Sequence, residues 1–115
     1  MTLWFRAYDS DTDTWSYFEL DDEEWALRQV DLRGPRRQPV TAASLAEIFA
    51  IHGRGDFAAM TTYDQRYGVL TEGCLRGWQE EESAAEITLA EFESVWAAAR
   101  EVLDADRTEE TAAGG

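Results

Sequence analysis

Two hydrophobic periodicities divide the chain. Residues 2–8 (TLWFRAY) and 14–20 (TWSYFEL) are rich in aromatic and Thr residues and flank a polar, turn-forming stretch at residues 9–13. That pattern predicts a β-hairpin with a longer loop. Residues 25–32 (WALRQVDL) alternate loosely and read as a third strand. A helical reading competes there, because Asp21 and Glu24 have capping-box spacing and Leu20 and Trp25 are placed to staple around it. Residues 34–40 (GPRRQPV) are expected to break regular structure.

Beyond that break the period changes to 3.6. Leu45, Ile48, Phe49 and His52 fall at i, i+3, i+4 and i+7, with Ser44 and Glu47 spaced as a capping box and Gly53 placed to end the helix. Asp56 is placed to cap a second helix carrying Phe57, Met60, Tyr63 and Tyr67 on a broad stripe closed by Gly68, so the two make a helical hairpin. Residues 69–83 hold two more glycines and three consecutive glutamates and read as an irregular loop, with a short strand at 69–71 as its one regular piece. In the last element Ile87, Thr88, Glu91 and Phe92 occupy N′, N-cap, N3 and N4. Its apolar face is Leu89, Phe92, Trp96, Ala99 and Leu103, and Glu91, Glu93, Arg100 and Glu101 are expected to face water. Together these elements predict an α+β fold: an N-terminal antiparallel sheet of three or more strands packed against three C-terminal helices. One domain is expected over residues 1–106, followed by a disordered tail at 107–115.

Composition adds size and charge to this picture. A chain of 115 residues with 44% hydrophobic residues and five Trp is enough for one self-supporting domain. Its 24 acidic residues against 10 Arg, with no Lys, give a formal charge of -14. Phosphate-contact binding of nucleic acid needs a basic surface, and an anionic membrane repels an acidic one, so no direct nucleic acid and no membrane partner is expected. A lone Cys74 makes no internal disulfide, and residues 1–11 lack the basic and apolar regions of a secretory signal, which together predict a cytoplasmic protein. Arg and Ala usage looks like that of a GC-rich bacterial coding sequence.

No constellation carries catalysis. Asp9, Asp11 and Asp13 have the spacing that opens a calcium loop, but Thr14 stands where the loop needs Gly and Leu20 where it needs a bidentate Glu, so no metal site is expected. His52 stands on an apolar stripe with no nucleophile at a motif spacing, and Cys74 has no neighbouring Lys or His in sequence to activate it. Arg54-Gly55-Asp56 reproduces an adhesion tripeptide but is better explained as the turn between two helices. No catalytic residue and no cofactor is assigned, and an enzyme is not expected.

The acidic clusters have two readings. They are solvated faces, or they form with Trp15, Trp25 and Trp78 a negatively charged, aromatic surface that steers and anchors a basic partner. The clusters are Asp9, Asp11 and Asp13; Asp21, Asp22, Glu23 and Glu24; and Glu80, Glu81 and Glu82. Trp96 is expected in the core.

Residues 17–32 (YFELDDEEWALRQVDL), 43–48 (ASLAEI) and 86–96 (EITLAEFESVW) resemble, in order, motifs of a family of small acidic bacterial domains of unknown function. Those motifs are similar to Y-x-E-[LI]-D-[DE]-E-x-[WY]-x-x-R-x-V-[DE], S-L-x-E-I and E-I-[ST]-x-x-E-F-E-x-[VI]-W. The resemblance implies a single α+β domain and, since some members look like immunity proteins of toxin systems, a basic toxin or nucleic-acid-binding protein as partner. The chain departs from the family in residues 57–77, inserted after its S-L-A-E-I segment. A DNA mimic, a regulatory accessory domain with a small apolar ligand, and a small metal-dependent hydrolase are the alternatives.

Overall fold

Alternating aromatic and Thr positions give β1 (Leu3–Asp9) and β2 (Thr14–Leu20), and their register puts Phe5 opposite Phe18 on one face and Tyr8 opposite Trp15 on the other. β3 (Ala26–Arg33) pairs with β2 through a bulge at Glu19/Leu20. In the computed structural model the sheet then gains two strands that the sequence pattern hid. β4 (Gln38–Ser44) follows directly on the turn at residues 34–37, so the expected break is only four residues long. Its Pro39 is tolerated because β4 is an edge strand, in a sheet of order β4-β3-β2-β1-β5. β5 (Ala85–Ile87) covers the other edge by pairing with β1. No strand forms at residues 69–71: Leu70 is buried, and the backbone N–H of Thr71 donates to the Gln29 side chain at 2.8 Å. The helical alternative at residues 21–24 is a tight turn instead, in which Asp21 Oδ1 accepts from the N–H groups of Glu23 and Trp25.

Helices cover both faces. α1 (Leu45–Gly53) starts on Ser44, whose side chain accepts from the Glu47 N–H. The Glu47 side chain does not return to close the capping box but points to Arg100 and Tyr63. α1 ends on Arg54 rather than on an αL Gly53, and the positive φ falls at Gly55. α2 (Phe57–Tyr67) starts on Asp56, which accepts from the Ala59 N–H at 2.9 Å. Gly68 ends it at φ 79°, where a Cβ would stand 2.6 Å from Thr41 Oγ1. With residues 69–84, these two helices bury Phe5, Phe18, Leu20, Ala26 and Ala43 on one face. α3 (Leu89–Gly114) starts on the expected Thr88 cap and covers the other face, burying Val30 and Ala42 under Phe92, Ala99 and Leu103. The structure describes the backbone of residues 1–114 and the side chains of residues 1–105, and the tail expected over residues 107–115 lies outside the residues described in full. Among the described residues, no helix is long and apolar enough to cross a membrane.

Two guanidinium groups hold α3 to the sheet, one of them on a residue expected to face water. Arg100 donates from Nε to the Ala42 carbonyl at 2.9 Å and from its terminal nitrogens to both Glu47 oxygens. Its guanidinium stacks 3.7 Å from the Tyr67 ring centroid and 4.5 Å from that of Trp96. Arg28 approaches Trp96 as well, at 5.1 Å, and donates to Glu19 and Glu93. Tyr63 completes the first node: its hydroxyl accepts from the Ser44 N–H and donates to Glu47, each at 2.7 Å.

Burial by itself would raise the Glu47 carboxyl, but hydrogen bonds from Arg100 and Tyr63 outweigh it and hold Glu47 below the ordinary glutamate range. Glu19 is lowered in the same way, its burial outweighed by Arg28 and Trp4. A carboxyl depressed in the folded state contributes stability that is complete above its unfolded pKa, near ~4.3, and is lost as pH falls through the folded value. Urea melts of Glu47→Gln should therefore depend less on pH than those of the wild type between about pH 5 and pH 2. The difference between the two curves separates this pair from the general relief of self-repulsion on acidification. Arg100→Ala should cost about 3 kcal/mol at neutral pH, because it strands Glu47 half-buried and empties the space between two rings. Arg100→Lys, which keeps the charge but not the planar fork, should cost less than Arg100→Ala and more than nothing.

Candidate functional site

The meander fixes where each acidic segment stands. Strands of seven residues separate the two ends of the sheet by roughly 20 Å. Asp9, Asp11 and Asp13 occupy the β1–β2 turn at one end. Glu80, Glu81 and Glu82 lie exposed just before Ser83, whose hydroxyl is bonded to the Tyr8 backbone, so they flank that same end. Asp21, Asp22, Glu23, Glu24 and Trp25 form the β2–β3 turn at the opposite end. The acidic segments therefore do not form one rim.

At the end with the β1–β2 turn, Asp13 is the carboxylate that is compensated. Asp13 Oδ1 accepts from Arg37 and from the Tyr8 hydroxyl, each at 2.8 Å, and those two bonds lower its carboxyl while its own bond to Tyr8 raises the phenol. Asp9 Oδ1 accepts from the Asp11 N–H, so the three aspartates do not converge on a shared point. Among the described residues no three His, Cys, Asp or Glu side chains group as a metal shell. Trp15 is half-buried against Tyr8, with the Arg6 guanidinium 5.2 Å from its ring centroid. Trp78, expected on the docking surface, is core: its ring stacks 4.3 Å from Phe5. The irregular loop carries it inward to join Phe5 and Phe18 in the core shared with Ile51 of α1 and Tyr63 of α2.

The opposite end is different. Residues 74–75 are tied to the β2–β3 turn: the Leu75 N–H donates to the Glu24 carbonyl at 2.8 Å, Cys74 bridges Trp25, and Cys74 Sγ donates to the Glu23 carbonyl. This staple holds residues 69–73 away from α1 and leaves a cleft of about 390 Å³ between them. Its floor is Ala26, Leu45, Ile48, Met60 and Leu70; its rim carries His52, Asp64 and Glu72. Three large apolar residues on it are open to water: Trp25 at 44% exposure, Phe49 at 64% and Val69 at 66%. A second depression of about 420 Å³ shares Leu45 and Phe49 with the first and continues past Ala46 and Leu27 toward Glu19 and Arg28. The two depressions adjoin at Leu45 and Phe49; the first, which Trp25 lines, is the groove beside the turn that carries Asp22 and Glu23.

Of the residues assigned from sequence, this groove brings together Trp25 and the acidic turn preceding it. Asp22 also reaches the Met1 ammonium, and Glu24 lies 3.7 Å from Arg76, whereas Asp21 and Glu23 have no ion pair among the described residues. Leu45, Ile48, Phe49 and His52 were visible as a stripe but expected to face the core. Leu45 and Ile48 do pack against the core beside the buried Ile51, while Phe49 and His52 are exposed at the cleft. Phe57, assigned to the α2 stripe, is exposed, and only Tyr63 of that stripe is fully buried. Leu89, likewise assigned to an apolar face, is largely exposed. Comparison with protein-family models, curated proteins and solved structures gives no match for this chain.

Trp25 is the one exposed indole, so Trp25→Phe should remove the largest share of acrylamide quenching of tryptophan fluorescence, and Trp78→Phe should remove almost none. Equal losses from the two variants would contradict this placement of the rings.

Proposed function

We propose that this chain is a protein-binding domain that neutralises a basic partner, as an immunity protein or antitoxin does, and that it docks through the end of the sheet carrying Trp25. The observation that supports this most directly is the coincidence of open apolar side chains and uncompensated carboxylates. Trp25, Phe49 and Val69 are exposed around one groove, while Glu23, Asp64 and Glu72 beside it have no arginine within ion-pair distance among the described residues. Isolated apolar residues on a surface mean little, but three on one concave surface mark a binding site. The acidic rim would speed encounter with a cationic partner, and the buried rings would slow its release. The resemblance of residues 17–32, 43–48 and 86–96 to small acidic bacterial domains agrees with this reading, and the net charge of -14 favours a basic partner over nucleic acid. A cytoplasmic setting suits it, since the exposed Cys74 thiol is compatible with a reducing compartment.

The test is capture from a lysate of the native cell by three immobilised forms: wild type, Glu23→Arg/Trp25→Ala, and Asp9→Arg/Asp11→Arg. The wild type and the Asp9/Asp11 variant should retain the same basic protein, and the Glu23/Trp25 variant should lose it. Equal retention by all three would refute the assignment of the docking end. Loss from the Asp9/Asp11 variant alone would move the site to the opposite end of the sheet.

A further inference from the structure

We infer that the groove along α1 receives a single amphipathic helix of the partner, with large apolar side chains on one face and Arg or Lys along its flank; this rests on the docking role proposed above. The first argument is the stripe itself. Leu45, Ile48, Phe49 and His52 repeat at helical spacing along α1, and the sheet beneath covers only part of that surface, so Phe49 and His52 remain exposed. An apolar stripe with period 3.6 is complementary to another helix, whose side-chain ridges fit between its own.

The second argument concerns the backbone of the occupant. The floor of the groove presents the side chains of Leu45, Ile48 and Met60, while the Trp25 backbone is bridged to Cys74 and the Thr71 N–H is bonded to Gln29. An extended segment laid here would bring unsatisfied N–H and C=O groups against Leu45, Ile48 and Met60, and each buried unpaired group is costly. A helix arrives with its backbone bonds made. Third, the apolar surface extends beyond the cleft, since a depression of about 420 Å³ adjoins the one of about 390 Å³ at Leu45 and Phe49. Fourth, the charges are asymmetric. Asp64 and Glu72 stand on the rim and Glu23 on the neighbouring turn, so a helix with basic residues beside its apolar stripe gains pairs that an acidic one is refused.

The probe is a synthetic peptide of about 18 residues, five helical turns, with Leu at i, i+3, i+4 and i+7 and Lys elsewhere. Three measurements with the intact protein decide the matter. The Leu/Lys helix should bind with a dissociation constant on the order of micromolar and shift Trp25 emission to shorter wavelength. A scrambled peptide of the same composition should bind about tenfold more weakly or worse, and a Leu/Glu helix should not bind measurably. Phe49→Arg and, separately, Val69→Arg should each weaken the Leu/Lys helix by about tenfold with circular dichroism unchanged, since both side chains are mostly in water. Two variants are used so that misfolding of one leaves the other to decide. Binding of the scrambled peptide as tight as that of the helix, or no change in either folded variant, would overturn the groove. If the peptide fails while a basic protein is still captured in a Glu23-dependent way, the helix inference falls and the docking end survives. If both fail, both readings fall.

Discussion

A ring held between two cations organises this molecule. Trp96 on α3 has the Arg28 guanidinium at 5.1 Å and the Arg100 guanidinium at 4.5 Å, and each cation is neutralised by a glutamate from a different part of the fold, Glu19 on β2 and Glu47 on α1. Half-buried charges are unfavourable unless paired and hydrogen-bonded, so each contact makes the next one necessary. α3 therefore settles in one position across the sheet, where a small stripe of Leu, Ala and Phe alone would allow it to slide.

The same network sets the roll of α1. Ser44 caps the helix, its N–H is held by Tyr63, and Glu47 one turn on is pulled toward Arg100. With Glu47 turned toward α3 and Ile51 toward the core, Phe49 has only the solvent side left. The open groove is thus a consequence of a polar node on the far side of α1, not of loose packing. Its second wall has an equally local cause, the staple of Leu75 and Cys74 onto the β2–β3 turn.

What could be read from sequence follows from this division of labour. Local signals were sufficient for β1, β2, the Asp56 and Thr88 caps and the class of the fold, because alternation and capping act over a few residues. β4 was hidden by Gly34, Pro35 and Pro39, which suggest a long break when the turn needs only four residues, and β5 by its length of three. Arg100 was assigned to solvent because helical spacing places it beside Glu101, and its hydrogen-bond partners lie 37 to 58 residues away in sequence. The groove needed two such distant facts at once. Its stripe was visible, but whether a stripe faces the core or an open cleft depends on what lies across from it, which no local pattern encodes.

Charge placement gives the last constraint. With 10 Arg against 24 acidic residues, most carboxylates must lack a basic partner, and which ones lack it depends on where the arginines are needed. Arg28 and Arg100 are committed to seating α3, and Arg37 to joining the β1–β2 and β3–β4 turns. None of these three lines the cleft beside Trp25, whose rim keeps Asp64 and Glu72. Concentrated negative charge beside exposed indole and phenyl rings opposes self-association, since a second copy brings the same charges. It leaves the groove open to a cationic surface, so the feature that keeps the apolar residues from pairing with themselves also selects what they bind.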